Sequence, residues 1–107
     1  MDAQEIRTLL GKSIFERAQK YRKRILQSSC TTNEDGVRHL TALVQGSGLD
    51  CYYTQVWLRE NGSFVSASCD CPYNQNGDGT YCKHIGALLL QDVEKNPPAP
   101  KKKPESI

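Results

Sequence analysis

Residues 69–84 read CDCPYNQNGDGTYCKH and set Cys69, Cys71, Cys82 and His84 in the order C-x-C, ten residues, C-x-H. Thiolates and imidazole are the donors that zinc takes, and four of them complete a tetrahedral shell. The spacing predicts one closed Cys3His site, and each pair makes its own geometric demand. Two residues apart on an extended strand, Cys69 and Cys71 present their sulfurs on the same face. Cys82 and His84 at the same interval would diverge by about 200° on a regular helix. They therefore require a non-helical entry, with Cys82 at or just before the first turn and His84 inside it. Thr80 suits the capping region, and Gly77-Asp78-Gly79 supplies the turn before it. The expected site is a strand end, a ten-residue loop and a helix start closed around one ion.

Two other readings of these residues stand beside zinc. The cysteines can be buried small hydrophobes, or two of them can form a disulfide. An odd count of five cysteines and the lack of an apolar leader argue against the disulfide. Four protein donors leave no coordination position for water or substrate, so the zinc is expected to be structural and the chain not an enzyme. GxxxxGK[ST] and HExxH are both absent from the sequence, and no small-molecule substrate is expected. A small hydrolase or redox protein would need one reactive thiolate free of the metal.

The elements that must position these ligands can be read from the pattern around them. With 107 residues the chain is one domain, and 37% hydrophobic with 7% aromatic residues means a modest core that a metal would reinforce. Residues 1–12 read as a polar lead-in with some helical character, 13–95 as the zinc-binding domain, and 96–107 as a disordered Pro/Lys-rich tail or truncated linker. Ser13 with Glu16 makes a capping box for a helix whose apolar positions are Ile14, Phe15, Ala18, Tyr21, Ile25 and Leu26. Residues 30–36 read as a loop, with Cys30 an ordinary thiol. Strands are predicted over 37–45, 49–58 and 64–71, with Asn61-Gly62 as a hairpin turn. Val65, Ala67, Cys69 and Cys71 fall in phase, which puts the ion at one edge of the core. His39 is expected to face solvent. A closing helix runs over 83–94 with Ile85, Leu88, Leu89 and Val93 inward. The fold class is α+β: an N-terminal helix, a three-stranded antiparallel meander and a C-terminal helix anchored by the zinc site, one helix on each side of the sheet.

The C-x-C pair, the loop, and CKHI leading an apolar helix together resemble the SWIM-type zinc finger. The likeness extends upstream to Val44-Gln45-Gly46, Tyr53 and Val56, and it includes Cys69-Asp70-Cys71-Pro72. Arg17-Ala18-Gln19-Lys20-Tyr21 resembles an element preceding the finger in the version associated with bacterial Swi/Snf-type ATPases. The resemblance covers roughly residues 13–92 and implies DNA or protein contacts.

A formal charge of +2 says little about partners. Its distribution says more, because Arg17, Lys20, Arg22, Lys23 and Arg24 place five cations in eight residues, and Lys83 adds another. They read either as a solvated face with cations near a helix C-terminus or as a phosphate-tracking patch. Tyr53, Trp57 and Tyr73 would stack on bases if exposed, although core packing is the expectation for Trp57. The function expected is a zinc-binding, non-catalytic interaction module, a DNA-binding accessory domain of a DNA-processing protein or complex. The alternative is a protein docking adaptor for a Swi/Snf-type ATPase or recombination complex, without nucleic-acid contact. In either case the loop 72–81 is the expected specificity element. No run is long enough to span a membrane, and no membrane partner is expected. Reduced thiols place the chain in the cytoplasm, at the nucleoid of a bacterium or in the nucleus of a eukaryote.

Overall fold

The computed structural model describes residues 2–46, 48–71 and 81–95. Thr80, the turn 77–79, Tyr73, nearly all of the loop 72–81 and the tail 96–107 lie outside them.

The helical character read in the polar lead-in takes the form of a regular helix. Helix α1 spans Ala3–Leu10 and opens on a capping box in which Asp2 and Glu5 each accept from the other's backbone N–H at 2.8 Å. Ile6 and Leu10, one turn apart, are both buried in the core. Gly11, at φ 88°, takes the left-handed conformation that turns the chain into α2, Lys12–Tyr21. Gly11 stands at the N-cap and no side chain caps α2, so Ser13 lies inside the helix and its expected capping box with Glu16 is absent. Ala18 is buried, with Ile14, Phe15 and Tyr21 packed against the core.

The predicted helix overran its end. After Tyr21 a 3-10 turn, Arg22–Arg24, leads directly into strand β1, Ile25–Thr32. Ile25 and Leu26 thus belong to a strand, and Leu26 is 58% exposed. Cys30, read as a loop residue, lies on the same strand. Its Ser- and Thr-rich sequence carries little apolar signal, and pairing with its neighbour decides the outcome. Asn33 closes the intervening turn, its Oδ1 accepting from the N–H groups of Asp35 at 2.9 Å and Val37 at 3.0 Å. The meander therefore has four strands, not three. Strands β2 (Arg38–Gln45), β3 (Cys51–Leu58) and β4 (Phe64–Cys69) complete an antiparallel sheet in the order β1-β2-β3-β4. The α+β class holds.

One sheet face is buried by Leu40, Ala42, Val44, Thr54, Val56 and Leu58, and the closing helix α3, Lys83–Lys95, lies against it. Val65 is 41% exposed, because a register shift opposite Trp57 and Leu58 breaks the phase that leads to Cys69. Helices α1 and α2 pack on α3. Gly86 makes that approach possible, since a Cβ there would meet Ala18 Cβ and Leu10 Cδ1, each at 2.6 Å. The three helices of the described residues thus lie on one side, contrary to the expectation of one helix per face. The other face of the sheet carries Thr41, Leu43, Tyr53, Gln55 and Trp57. None of these is among the buried residues, and Trp57 is stacked at 4.6 Å on His39 instead of filling the core.

Candidate metal centre

The four soft donors converge where β4 ends and α3 begins. Cys69 is the last residue of β4, and Cys71 follows two residues on. Cys82 immediately precedes α3, and its carbonyl accepts the Gly86 N–H at 3.2 Å, which makes it the first acceptor of the helix. His84 stands in the first turn. Cys82 thereby stays outside the helical repeat that would have turned it away from His84.

Their ligand atoms all lie within 4.8 Å of one another. His84 Nδ1 is 3.7 Å from the Sγ of both Cys69 and Cys82. Metal–donor bonds of about 2.0–2.3 Å in a tetrahedron leave donors about 3.5–3.8 Å apart, so these separations match. The four side chains are buried, His84 to 3% exposure. Three thiols and an imidazole closing on one point inside a core, with no carboxylate among them, fit one structural zinc ion.

Electrostatics of the thiols point the same way. Cys69 is held down to about 4, chiefly by its hydrogen bond with Cys82, with burial opposing and His84 and Thr54 adding to the effect. Cys82 is pushed up by the same hydrogen bond and then by burial. The hydrogen bond between the two sulfurs thus favours the thiolate at Cys69 and disfavours it at Cys82.

Several supporting residues carry no metal-binding signal in the sequence. Thr54 is the cross-strand partner of Cys69, and its Oγ1 lies 3.3 Å from the sulfur. Asp70, between the first two cysteines, accepts the Tyr53 N–H at 2.9 Å on its Oδ1, while its own N–H donates to the Tyr53 carbonyl at 3.3 Å. The side chain extends the ladder past the last strand residue and so fixes the C-x-C segment. Against His84 lie two rings, Tyr21 at 5.3 Å and nearly perpendicular, and Tyr52 at 4.9 Å and tilted by 39°. A β-strand register places Thr54, but no local pattern places Tyr21, which comes from a different helix.

The predicted cations do not form one uniform patch. Arg17, Lys20 and Lys23 are exposed. Arg22 pairs with Glu94 of α3 at 2.6 Å, and Arg24 donates from Nη1 to the Gly46 carbonyl at 2.9 Å. Both bonds tie the 3-10 turn to its surroundings. Lys83 Nζ and Arg24 Cζ lie over the Tyr21 ring, 4.9 and 5.2 Å from its centroid.

Residues 54–92 match the family model of the SWIM zinc finger. The match begins at Thr54, ends at Asp92 and encloses all four donors. No curated protein and no solved structure matches the chain. No described helix is long and apolar enough to cross a membrane.

Proposed function

We propose that this chain is a zinc-dependent accessory module that binds nucleic acid without turning over a substrate. The observation that carries the reading is the closed donor set. Four buried protein ligands saturate a tetrahedral ion, so the metal organises a surface and activates no water. The surface itself is supported by Arg17, Lys20 and Lys23, exposed on α2 and the 3-10 turn, with Lys83 and Arg24 gathered on Tyr21 beside the metal site. Arg22 is the weakest member, since Glu94 already neutralises it. A cytoplasmic setting with reduced thiols, and service to a larger DNA-processing protein or complex, belong to the same proposal. The test is a titration of the zinc-loaded protein with single- and double-stranded DNA at two salt concentrations. Binding that weakens steeply with salt and little with sequence is the expected result; no binding at low salt overturns it.

The bare sheet face favours a second reading, a protein docking adaptor. Thr41, Leu43, Gln45, Tyr53, Gln55 and Trp57 form an uncharged surface on which Tyr53 is 45% exposed. Phosphate would find no cation there, whereas a protein partner would find aromatic and amide groups. Substituting Tyr53 and Leu43 by charged residues would abolish capture of such a partner and leave DNA binding unchanged.

A further inference from the structure

The two nitrogens of His84 have very different surroundings. Nδ1 faces the sulfurs of Cys69 and Cys82, so it is the donor atom to zinc, and the proton of the neutral ring then resides on Nε2. That Nε2 is buried and has no hydrogen-bond partner among the described residues. Metal-ligating histidines almost always donate this second N–H to a carboxylate, a carbonyl or water, and the bond fixes the ring about its terminal torsion. Among the described residues two aromatic rings lie against the imidazole: Tyr21, perpendicular at 84°, and Tyr52, tilted on top of Gly46. Gly46 leaves the space for Tyr52, because a Cβ there would stand 2.7 Å from the tyrosine's Cε2.

We propose that Tyr21 is a positioning residue for the metal ligand His84, holding the imidazole in its coordinating orientation by ring contact. The perpendicular arrangement sets the edge of one ring against the face of the other, which is the favoured geometry for an aromatic pair and blocks rotation of the smaller ring. Tyr21 suits the task because it is itself pinned: it ends α2, it packs against the core, and Arg24 and Lys83 lie over its ring. Ring shape carries the role and the phenol hydroxyl does not. The inference rests on the metal centre and is independent of what the module binds.

The test is metal affinity, measured by chelator competition on the full chain without nucleic acid, together with the cobalt(II) absorption spectrum as a report of ligand geometry. Tyr21→Leu should weaken zinc binding about 10-fold or more, in the range seen when outer-shell partners of a ligating histidine are removed. It should also shift and broaden the cobalt bands. Tyr21→Phe should keep the wild-type affinity and spectrum. Phe15→Leu, a core truncation on the same helix, controls for lost packing and should leave the cobalt bands in place. Wild-type affinity and spectrum in Tyr21→Leu overturn the proposal, and so does equal weakening by Tyr21→Phe. A wild-type chain that takes up no zinc removes the centre itself, and this role with it.

Discussion

Arg38 and Asp92 join the sheet to the closing helix by a two-pronged contact, Nη1 to Oδ1 at 2.9 Å and Nη2 to Oδ2 at 3.0 Å. The Asp92 carboxylate raises the pKa of the guanidinium through these bonds. Only 9% of the Asp92 side chain is exposed, against 22% for Arg38, so the carboxylate is the more desolvated member of the pair. Arg38→Met should lower stability by about 1–3 kcal/mol, with the double variant Arg38→Met/Asp92→Leu recovering part of the loss. Thermal melts of the zinc-loaded proteins give both numbers. Equal stability of Arg38→Met and wild type would make the pair ornamental.

Metal content should follow the four buried donors alone. Cys69→Ser, Cys71→Ser, Cys82→Ser and His84→Ala should each abolish stoichiometric zinc and loosen α3, since structural zinc binding is also folding free energy. Cys30 and Cys51 are exposed, and their serine variants should keep one zinc per chain. Metal analysis of the purified proteins, with circular dichroism, decides it. A ligand variant with unchanged zinc and melting curve would remove that residue from the site.

Acid should release the ion. Thiolates and neutral imidazole bind zinc while their protonated forms do not, so affinity falls as protons are added. Holding Cys69 down to about 4 shields that sulfur from protonation in mild acid, whereas Cys82, pushed up, already retains its proton in the metal-free protein. Zinc uptake at neutral pH should therefore release protons to the buffer, detectable as a dependence of the binding enthalpy on buffer ionisation. A buffer-independent enthalpy would contradict the proton held at Cys82.

Gly86 should be intolerant of alanine despite the better helix propensity, worth about 1 kcal/mol in an open helix. The added methyl meets the Cβ of Ala18, which cannot rotate away. Gly86→Ala should destabilise by about 1–3 kcal/mol, the usual range for overpacking, and Ala18→Gly should relieve it in the double variant. A more stable Gly86→Ala would mean that α2 shifts freely on α3.

Charge reversal at Arg17, Lys20 and Lys23 should weaken DNA binding and flatten its salt dependence, since each phosphate contact adds to the slope. Arg22→Glu should act instead on stability, by setting like charges against Glu94. Stability and affinity measured on the same four variants separate the two effects. Loss of affinity at Arg22 alone would place the contact elsewhere.

The donor set and the non-helical entry of Cys82 were legible in the sequence, because ligand spacing and helix periodicity act over a few residues, whereas the strand expected to carry both Cys69 and Cys71 ends at Cys69. The misreadings share one cause. Ile25 and Leu26 fit a helical stripe, and Ser13 with Glu16 fits a capping box, but the partners that decide these segments lie across the sheet at Val44 and across the Gly11 turn. Ile6 and Leu10 were two apolar residues in a polar stretch, and only contact with α2 and α3 makes them core. Tyr21 was visible as part of a resembling element, without its reason: the distance to His84 exists only after three helices have stacked.

Nearest-neighbour strand order has a consequence for the sequence of events in folding. Each strand pairs with the one next to it in the chain, so the ladder can zip up through short closures, and Cys69 is delivered when it docks opposite Thr54. Cys82 and His84 complete the shell only when the helix docks on the sheet. If that docking follows the ladder, half of the zinc shell is a template for the other half, and metal capture would fall after the main barrier. Zinc concentration should accordingly leave the refolding rate nearly flat while slowing unfolding, because interactions formed late act on the exit from the native state. The ion would serve this fold as a latch on a door already closed, and the lifetime of the native state would be set by how often zinc leaves.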